Sequence, residues 1–177
     1  MNLFWDLYWP AITAAVVIGV IAGRMAFRLP KGGHSPAYSR KCLLTLLLAG
    51  AAILLIGWIW HGPVGTADRF ATTVEHQTRR VLIDWEMTPV HAAIVRSPLK
   101  RSLVLSGPAD DFQRSELVRI LNDVPGVGEV HWTETRGSFI LPLLAEVELA
   151  ALIGFGLGLL LAYLLELRRR YNAQWSW

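Results

Sequence analysis

Hydrophobic and polar positions divide the chain into three long apolar runs and one stretch of ordinary amphipathic pattern. The runs cover 7–27, 42–60 and 143–166, with uncharged cores at 7–23, 42–60 and 149–165. About 20 apolar residues in an α-helix cross a ~30 Å hydrocarbon core. The second and third runs have no polar face, which a helix on the surface of a soluble core would keep. The pattern therefore predicts three transmembrane helices. Segment 61–142 reads differently. A helical period runs over 67–85, with Phe70, Val74, Val81 and Trp85 near one face and Thr66 or Asp68 as cap. Short apolar strands follow at 90–95 and 103–105, separated by the turn-like Ser97, Pro98 and Lys100. A second helix is predicted over 112–123, capped by Asp110 or Asp111, burying Phe112, Leu117, Ile120, Leu121 and Val124 and stopped by Pro125-Gly126. A last strand covers 127–133, with Trp132 rather than His131 turned inward. The fold class is a membrane α-helical protein with three transmembrane helices plus a small α+β domain of α-β-β-α-β order.

Composition and charge sharpen this division. Hydrophobic residues make up 53 % and charged residues 18 % of the chain, against about 25 % charged in soluble domains. Amphipathic rings flank the runs: Trp5, Tyr8 and Trp9, then Trp58 and Trp60, then Tyr163, Tyr171, Trp175 and Trp177. The basic segment 28–41, with Arg24 just before it, carries Arg28, Lys31, Arg40 and Lys41 and no acid. The tail 167–177 holds Arg168, Arg169 and Arg170, whereas segment 1–6 has Asp6 and no Lys or Arg. The positive-inside rule then places 1–6 and 61–142 outside and 28–41 and 167–177 inside. Positive charges follow the first run instead of preceding it, and no A-x-A-like site comes after, so it reads as an uncleaved anchor. A net charge of +3, distributed as topology requires, gives no pointer to nucleic acid. The single cysteine, Cys42, excludes an internal disulfide; preceded by Ser39, Arg40 and Lys41, it reads as a small apolar residue at a membrane edge.

Two of the runs carry small residues at four-residue intervals. Ala11, Ala15, Gly19 and Gly23 line one face of the first, and Ala150, Gly154, Gly158 and Ala162 one face of the third. Small faces let helix backbones approach closely. Either the two faces pack within one molecule or one of them docks another subunit. No ionisable residue lies in the middle of a run, unlike proton paths, channels and coupled transporters. No histidine lies in one either, which argues against haem held between helices.

The string Ser102-Leu-Val-Leu-Ser-Gly107, an Asp-rich helix start, an amphipathic helix and Val124-Pro-Gly-Val-Gly-Glu-Val130 together resemble the BON domain of bacterial envelope proteins. The likeness covers roughly 67–135. It departs from the family at 96–101, which is longer and more basic than the tight first turn expected there. The resemblance implies a non-catalytic domain that contacts phospholipid or attaches proteins to the envelope. It further implies a bacterial inner-membrane protein with 61–142 in the periplasm.

Candidate chemistry is sparse. His76, His91 and His131 have no ligand spacing, and no Cys-x-x-Cys or phosphate-loop pattern occurs. No catalytic residue, metal site or cofactor is expected. Arg96, Lys100 and Arg101 cluster in the predicted hairpin loop, where they would meet anionic headgroups or an acidic partner. Two readings follow: an accessory or scaffold subunit among other inner-membrane subunits, or a stand-alone envelope protein that binds phospholipid or tethers envelope layers.

Overall fold

A computed structural model describes residues 3–28, 36–135 and 137–174; Lys31, Trp175 and Trp177 lie outside them. The elements are α1 (Leu3–Phe27), α2 (Pro36–His61), α3 (Thr66–Asp84), β1 (His91–Arg96), β2 (Leu99–Ser106), α4 (Asp111–Asn122), β3 (Glu129–Trp132) and α5 (Leu143–Gln174). The chain is mostly helical, with a small three-stranded sheet. It forms two compact units, one of Tyr8–Trp60 with Val147–Trp177 and one of Met1–Leu7 with His61–Glu146.

In the helical unit α1, α2 and α5 are each long and apolar enough to cross a membrane. The helices outrun the apolar runs. α2 begins six residues before Cys42, and α5 continues through Arg168 to Gln174. The charged flanks are good helix formers, and Glu166 pairs with Arg169 at 2.8 Å and Arg170 at 3.1 Å, one turn on. The loss of apolar character marks the end of a span, not the end of a helix.

In the α/β unit β1 and β2 form an antiparallel hairpin, and β3 joins β2 in parallel, giving the order β1-β2-β3. A parallel neighbour needs a crossover, which α4 supplies. α3 packs on β1 and α4 on β3. Alternation along the strands sends Leu103 and Leu105 of β2 and Val130 and Trp132 of β3 inward, where Phe70, Val74, Leu82, Leu117 and Leu121 meet them in the core. β2 ends at Ser106, just before Gly107, whose φ of +128° belongs to glycine; a Cβ there would lie 2.7 Å from the Pro89 carbonyl oxygen. Asp110 caps α4 through a reciprocal box. Its carboxylate accepts from the Gln113 N–H at 2.7 Å, and Gln113 Oε1 accepts from the Asp110 N–H at 3.0 Å. Arg114 ties α4 to β3. Its guanidinium stacks 4.8 Å over the Trp132 ring and pairs with Glu134 at 2.6 Å, while the Trp132 indole donates to the Arg114 carbonyl at 3.3 Å.

Four expectations for this unit are corrected. The first turn is tight: Ser97 and Pro98, joined by a cis peptide, connect paired Arg96 and Leu99, so 96–101 belongs largely to strands. α3 is capped by Gly65 with no side-chain bond; Thr66 sits buried inside the helix, and Asp68 is engaged by Arg96. The buried stripe of α3 is Phe70, Ala71, Val74, Thr78 and Leu82, leaving Trp85 57 % exposed. It runs through a threonine whose hydroxyl donates to the Val74 carbonyl at 2.8 Å, which satisfies the polar group inside the core. On α4 the buried residues are Leu117 and Leu121, while Phe112 is 74 % exposed.

These assignments separate two substitutions on one helix. Leu121→Ala removes a fully buried side chain and is expected to cost about 2–5 kcal/mol, whereas Phe112→Ala is expected to stay within about 0.5 kcal/mol. Unfolding of the full-length protein in mild detergent, followed by near-ultraviolet circular dichroism, measures both. Equal losses would contradict the helix phase described here. The Arg114 pair generates a pH prediction. Its guanidinium holds the Glu134 carboxyl below the usual carboxylate range. Stability from the pair is therefore complete above the unfolded value of about 4.3 and is lost as pH falls through the lower folded value. Glu134→Gln should lower the unfolding midpoint slightly at neutral pH, and the gap to wild type should close as pH falls below the usual carboxylate range.

Candidate functional site

Three features of the helical unit and the α/β unit bear on function: a seam of small residues, the capped end of α1, and the cations around the first hairpin. In the seam, α1 and α5 touch backbone to backbone. A Cβ on Gly19 would lie 2.5 Å from the Phe155 carbonyl oxygen and 3.1 Å from Gly158 Cα. A Cβ on Gly158 would collide with the Val16 carbonyl oxygen. One on Gly23 would lie 2.6 Å from Ala162 Cβ, and one on Gly154 would lie 3.1 Å from the Ile12 carbonyl oxygen. Contacts advance in the same direction on both helices, so α1 and α5 run parallel. Ala11, Ala15, Gly19 and Gly23 are all buried, as are Gly154, Gly158 and Ala162. Ala150 is only half-buried, and Ala151 takes its place at the start of the seam. Four residues turn a helix by about 400°, so a strict four-residue row drifts off the contact line. The shift from 150 to 151 corrects that drift. The two faces thus fill each other within the chain.

The end of α1 is closed by side chains from the other two long helices. The Tyr38 hydroxyl lies 2.7 Å from the Ala26 carbonyl oxygen and 2.8 Å from that of Arg28. Cys42 Sγ lies 3.3 Å from the Ala26 oxygen, and Arg170 Nη2 donates to the Phe27 oxygen at 2.8 Å. Phe27 and Tyr163 pack edge to face, with centroids 5.8 Å apart. The last carbonyls of a helix lack intrahelical partners, and these groups supply them. The sequence reading missed Tyr38, Glu166 and Arg170. Their residue types were visible, as was the one-turn spacing of Glu166 to Arg169 and Arg170; the partners of Tyr38 and Arg170 on the end of α1, up to 143 residues away for Arg170 and Phe27, were not.

The hairpin cations do not gather in a loop. Arg96, at the end of β1, is pinned to α3 by Glu75 at 2.7 Å and Asp68 at 2.8 Å. These carboxylates raise its pKa further. Arg101, on β2, donates to the Gly126 carbonyl at 3.2 Å, stacks 5.1 Å from the Phe4 ring and approaches Glu146 at 3.7 Å. Lys100 pairs through its backbone with Pro142. Among the described residues, only the Lys100 ammonium of the three has no ion pair or hydrogen bond. On the neighbouring strand His131 Nδ1 lies 3.3 Å from the Ser102 hydroxyl, an interstrand contact beside the parallel ladder. Among the described residues no group of three or more His, Cys, Asp or Glu side chains is placed to hold a metal ion. No protein-family model, curated protein or solved structure matches the chain.

The seam predicts a contrast between two glycines two residues apart. Gly158→Leu forces α1 away from α5 and should lower stability by about 1–3 kcal/mol or more. Gly156→Leu points into open space and should leave the unfolding temperature unchanged. Thermal unfolding of the full-length protein in mild detergent reads both. Equal tolerance would show that the backbones do not meet at Gly158.

Proposed function

We propose that the chain is a non-catalytic accessory or scaffold subunit of a larger bacterial inner-membrane complex, with three transmembrane helices and a periplasmic interaction domain like the BON family. The observation that carries this reading is the apolar surface left over once the long helices have packed. Leu43, Leu47 and Leu48 of α2 are 59 %, 60 % and 69 % exposed, and Leu157, Leu160 and Leu164 of α5 are exposed as well. Soluble monomers rarely expose so large a contiguous apolar surface. Hydrocarbon or apolar helices of partner subunits would cover it without cost.

The remaining observations support the arrangement. Parallel α1 and α5 suit a three-span chain in which the first and third helices cross in the same direction. Arg24, Arg28, Arg40 and Lys41 lie at the ends of α1 and α2 that join the short loop, and Arg168, Arg169 and Arg170 lie toward the end of α5. The positive-inside rule puts these ends in the cytoplasm and 61–142 in the periplasm. Since the two small-residue faces occupy each other, partner subunits would meet the outer faces of the helices or the α/β domain.

Extraction of the tagged protein from its own membrane in mild detergent, followed by native electrophoresis and mass spectrometry of co-migrating chains, tests the proposal. A discrete large band with fixed partners is expected. A monomer or small homo-oligomer would overturn the subunit reading in favour of a stand-alone envelope protein acting through its periplasmic domain.

A further inference from the structure

A groove of about 710 Å³ opens between α1 and α5 where their small-residue seam ends. Arg24 and Arg28 line it from α1 and Arg169 from α5, over a floor of Met25, Ala162 and Leu165; Glu166 is its one carboxylate. Glu166 is already engaged, accepting from Arg169 at 2.8 Å and Arg170 at 3.1 Å. Among the described residues, no hydrogen bond or ion pair engages the guanidinium of Arg24 or Arg28. We propose that this groove binds the headgroup phosphate of an anionic phospholipid. The inference rests on the membrane placement given above, which sets the groove at the cytoplasmic leaflet.

The charge balance favours an anion. Three guanidiniums face one carboxylate, and the C-terminal end of α1 adds the equivalent of only about half a negative charge. That end is moreover capped by Tyr38, Cys42 and Arg170. Guanidiniums present planar pairs of donors that match phosphate oxygens two at a time. Basic pockets between helices at the cytoplasmic face are the usual seat of anionic headgroups. A zwitterionic lipid would bring its own ammonium against Arg24 and Arg28, whereas a phosphatidylglycerol-type headgroup brings none. The apolar floor lies against the upper methylenes of an acyl chain, which a free phosphate ion lacks.

The test uses the full-length protein in detergent, with native mass spectrometry reading bound lipid. Phosphatidylglycerol and phosphatidylcholine of matched chains are offered separately. Phosphatidylglycerol should be retained at least tenfold better. The preference should fall about fivefold for each arginine neutralised and vanish in the Arg24→Gln/Arg28→Gln/Arg169→Gln variant. Arg24→Gln alone, which removes no hydrogen bond or ion pair among the described residues, keeps the test decisive if the triple variant fails to fold. Lys100→Gln, on β2 of the α/β unit and outside the groove lining, should change nothing. Equal retention of the two lipids, or an unaltered preference in Arg24→Gln, would overturn the proposal. Displacement of the lipid by millimolar inorganic phosphate would do so too, marking a soluble-anion site. Carbonate extraction of native membranes separates this failure from that of the membrane reading: a chain released by carbonate would sink both, and a chain that stays while showing no lipid preference would sink only the groove.

Discussion

The backbones of α1 and α5 meet at Gly19 and Gly158 with no room for a methyl group between them, and much of the helical unit follows from that approach. With these helices placed in hydrocarbon, as proposed above, leucine surfaces would gain nothing by leaving lipid for each other, and association would come from close dispersion contact along a fitted seam. A seam of this kind fixes axial register, because Gly23 against Ala162 and Gly154 against Ile12 fit at one setting only. Register in turn sets which ends coincide. With the helices parallel, the last turn of α1 falls beside the turn of α5 that carries Glu166, Arg169 and Arg170. Arg170 reaches the Phe27 carbonyl, and Arg24 and Arg28 share a groove with Arg169.

The α/β unit uses its cations differently. Arg96 bridges β1 to α3, Arg114 bridges α4 to β3, and Arg101 reaches from β2 to the turn before β3. Exposed pairs of this kind contribute about 0–1 kcal/mol each, so the apolar core holds the unit and the arginines orient its helices on the sheet. Their positive charge is neutralised locally. That leaves segment 61–142, with nine Lys or Arg against ten Asp or Glu, close to balance. The charge left over collects instead at the ends of the apolar helices.

Local signals were legible in the sequence, and long-range ones were not. The three long apolar helices, the α-β-β-α-β order and the small-residue faces could all be read from periods of two, three to four, and four residues. So could the cap at Asp110, where side chain and backbone are neighbours. Most of the errors share one cause, in that a residue's place was decided by its contacts with other elements. Ser, Pro, Lys and Arg at 97–101 look like a loop, yet β2 already begins at Leu99, which pairs with Arg96, while Lys100 pairs with Pro142 and the Arg101 carbonyl accepts from the Gly128 N–H. Thr78 looks like a break in an apolar stripe until its hydroxyl is seen to turn back on its own helix. Phe112 looks like core by type, but the phase of α4 is set by Leu117 and Leu121 against the sheet. At the candidate site, the seam residues were legible individually. Their partners, the closure of α1 by Tyr38 and Arg170, and the groove were not, since each joins residues from different helices.

Where the seam stops, the chemistry of the surface changes. Along the small-residue seam the two helices stay in close contact, Gly19 against Phe155 and Gly158, and Gly158 against Val16. At Ala162 the small residues run out; the next positions are Leu165, Glu166 and Arg169 on α5, facing Met25 and Arg28 on α1. Longer side chains hold a gap open, and the gap is lined with charge. Glu166 then decides how much of that charge remains available. One carboxylate pairs with both Arg169 and Arg170, and Arg170 is further committed to the Phe27 carbonyl. Closing the end of α1 therefore draws on Arg170, Glu166 is shared between Arg169 and Arg170, and among the described residues Arg24 and Arg28 are left without an ion pair. A helix end that needs its carbonyls capped and a groove that needs unpaired cations are in this way two results of the same arrangement of side chains.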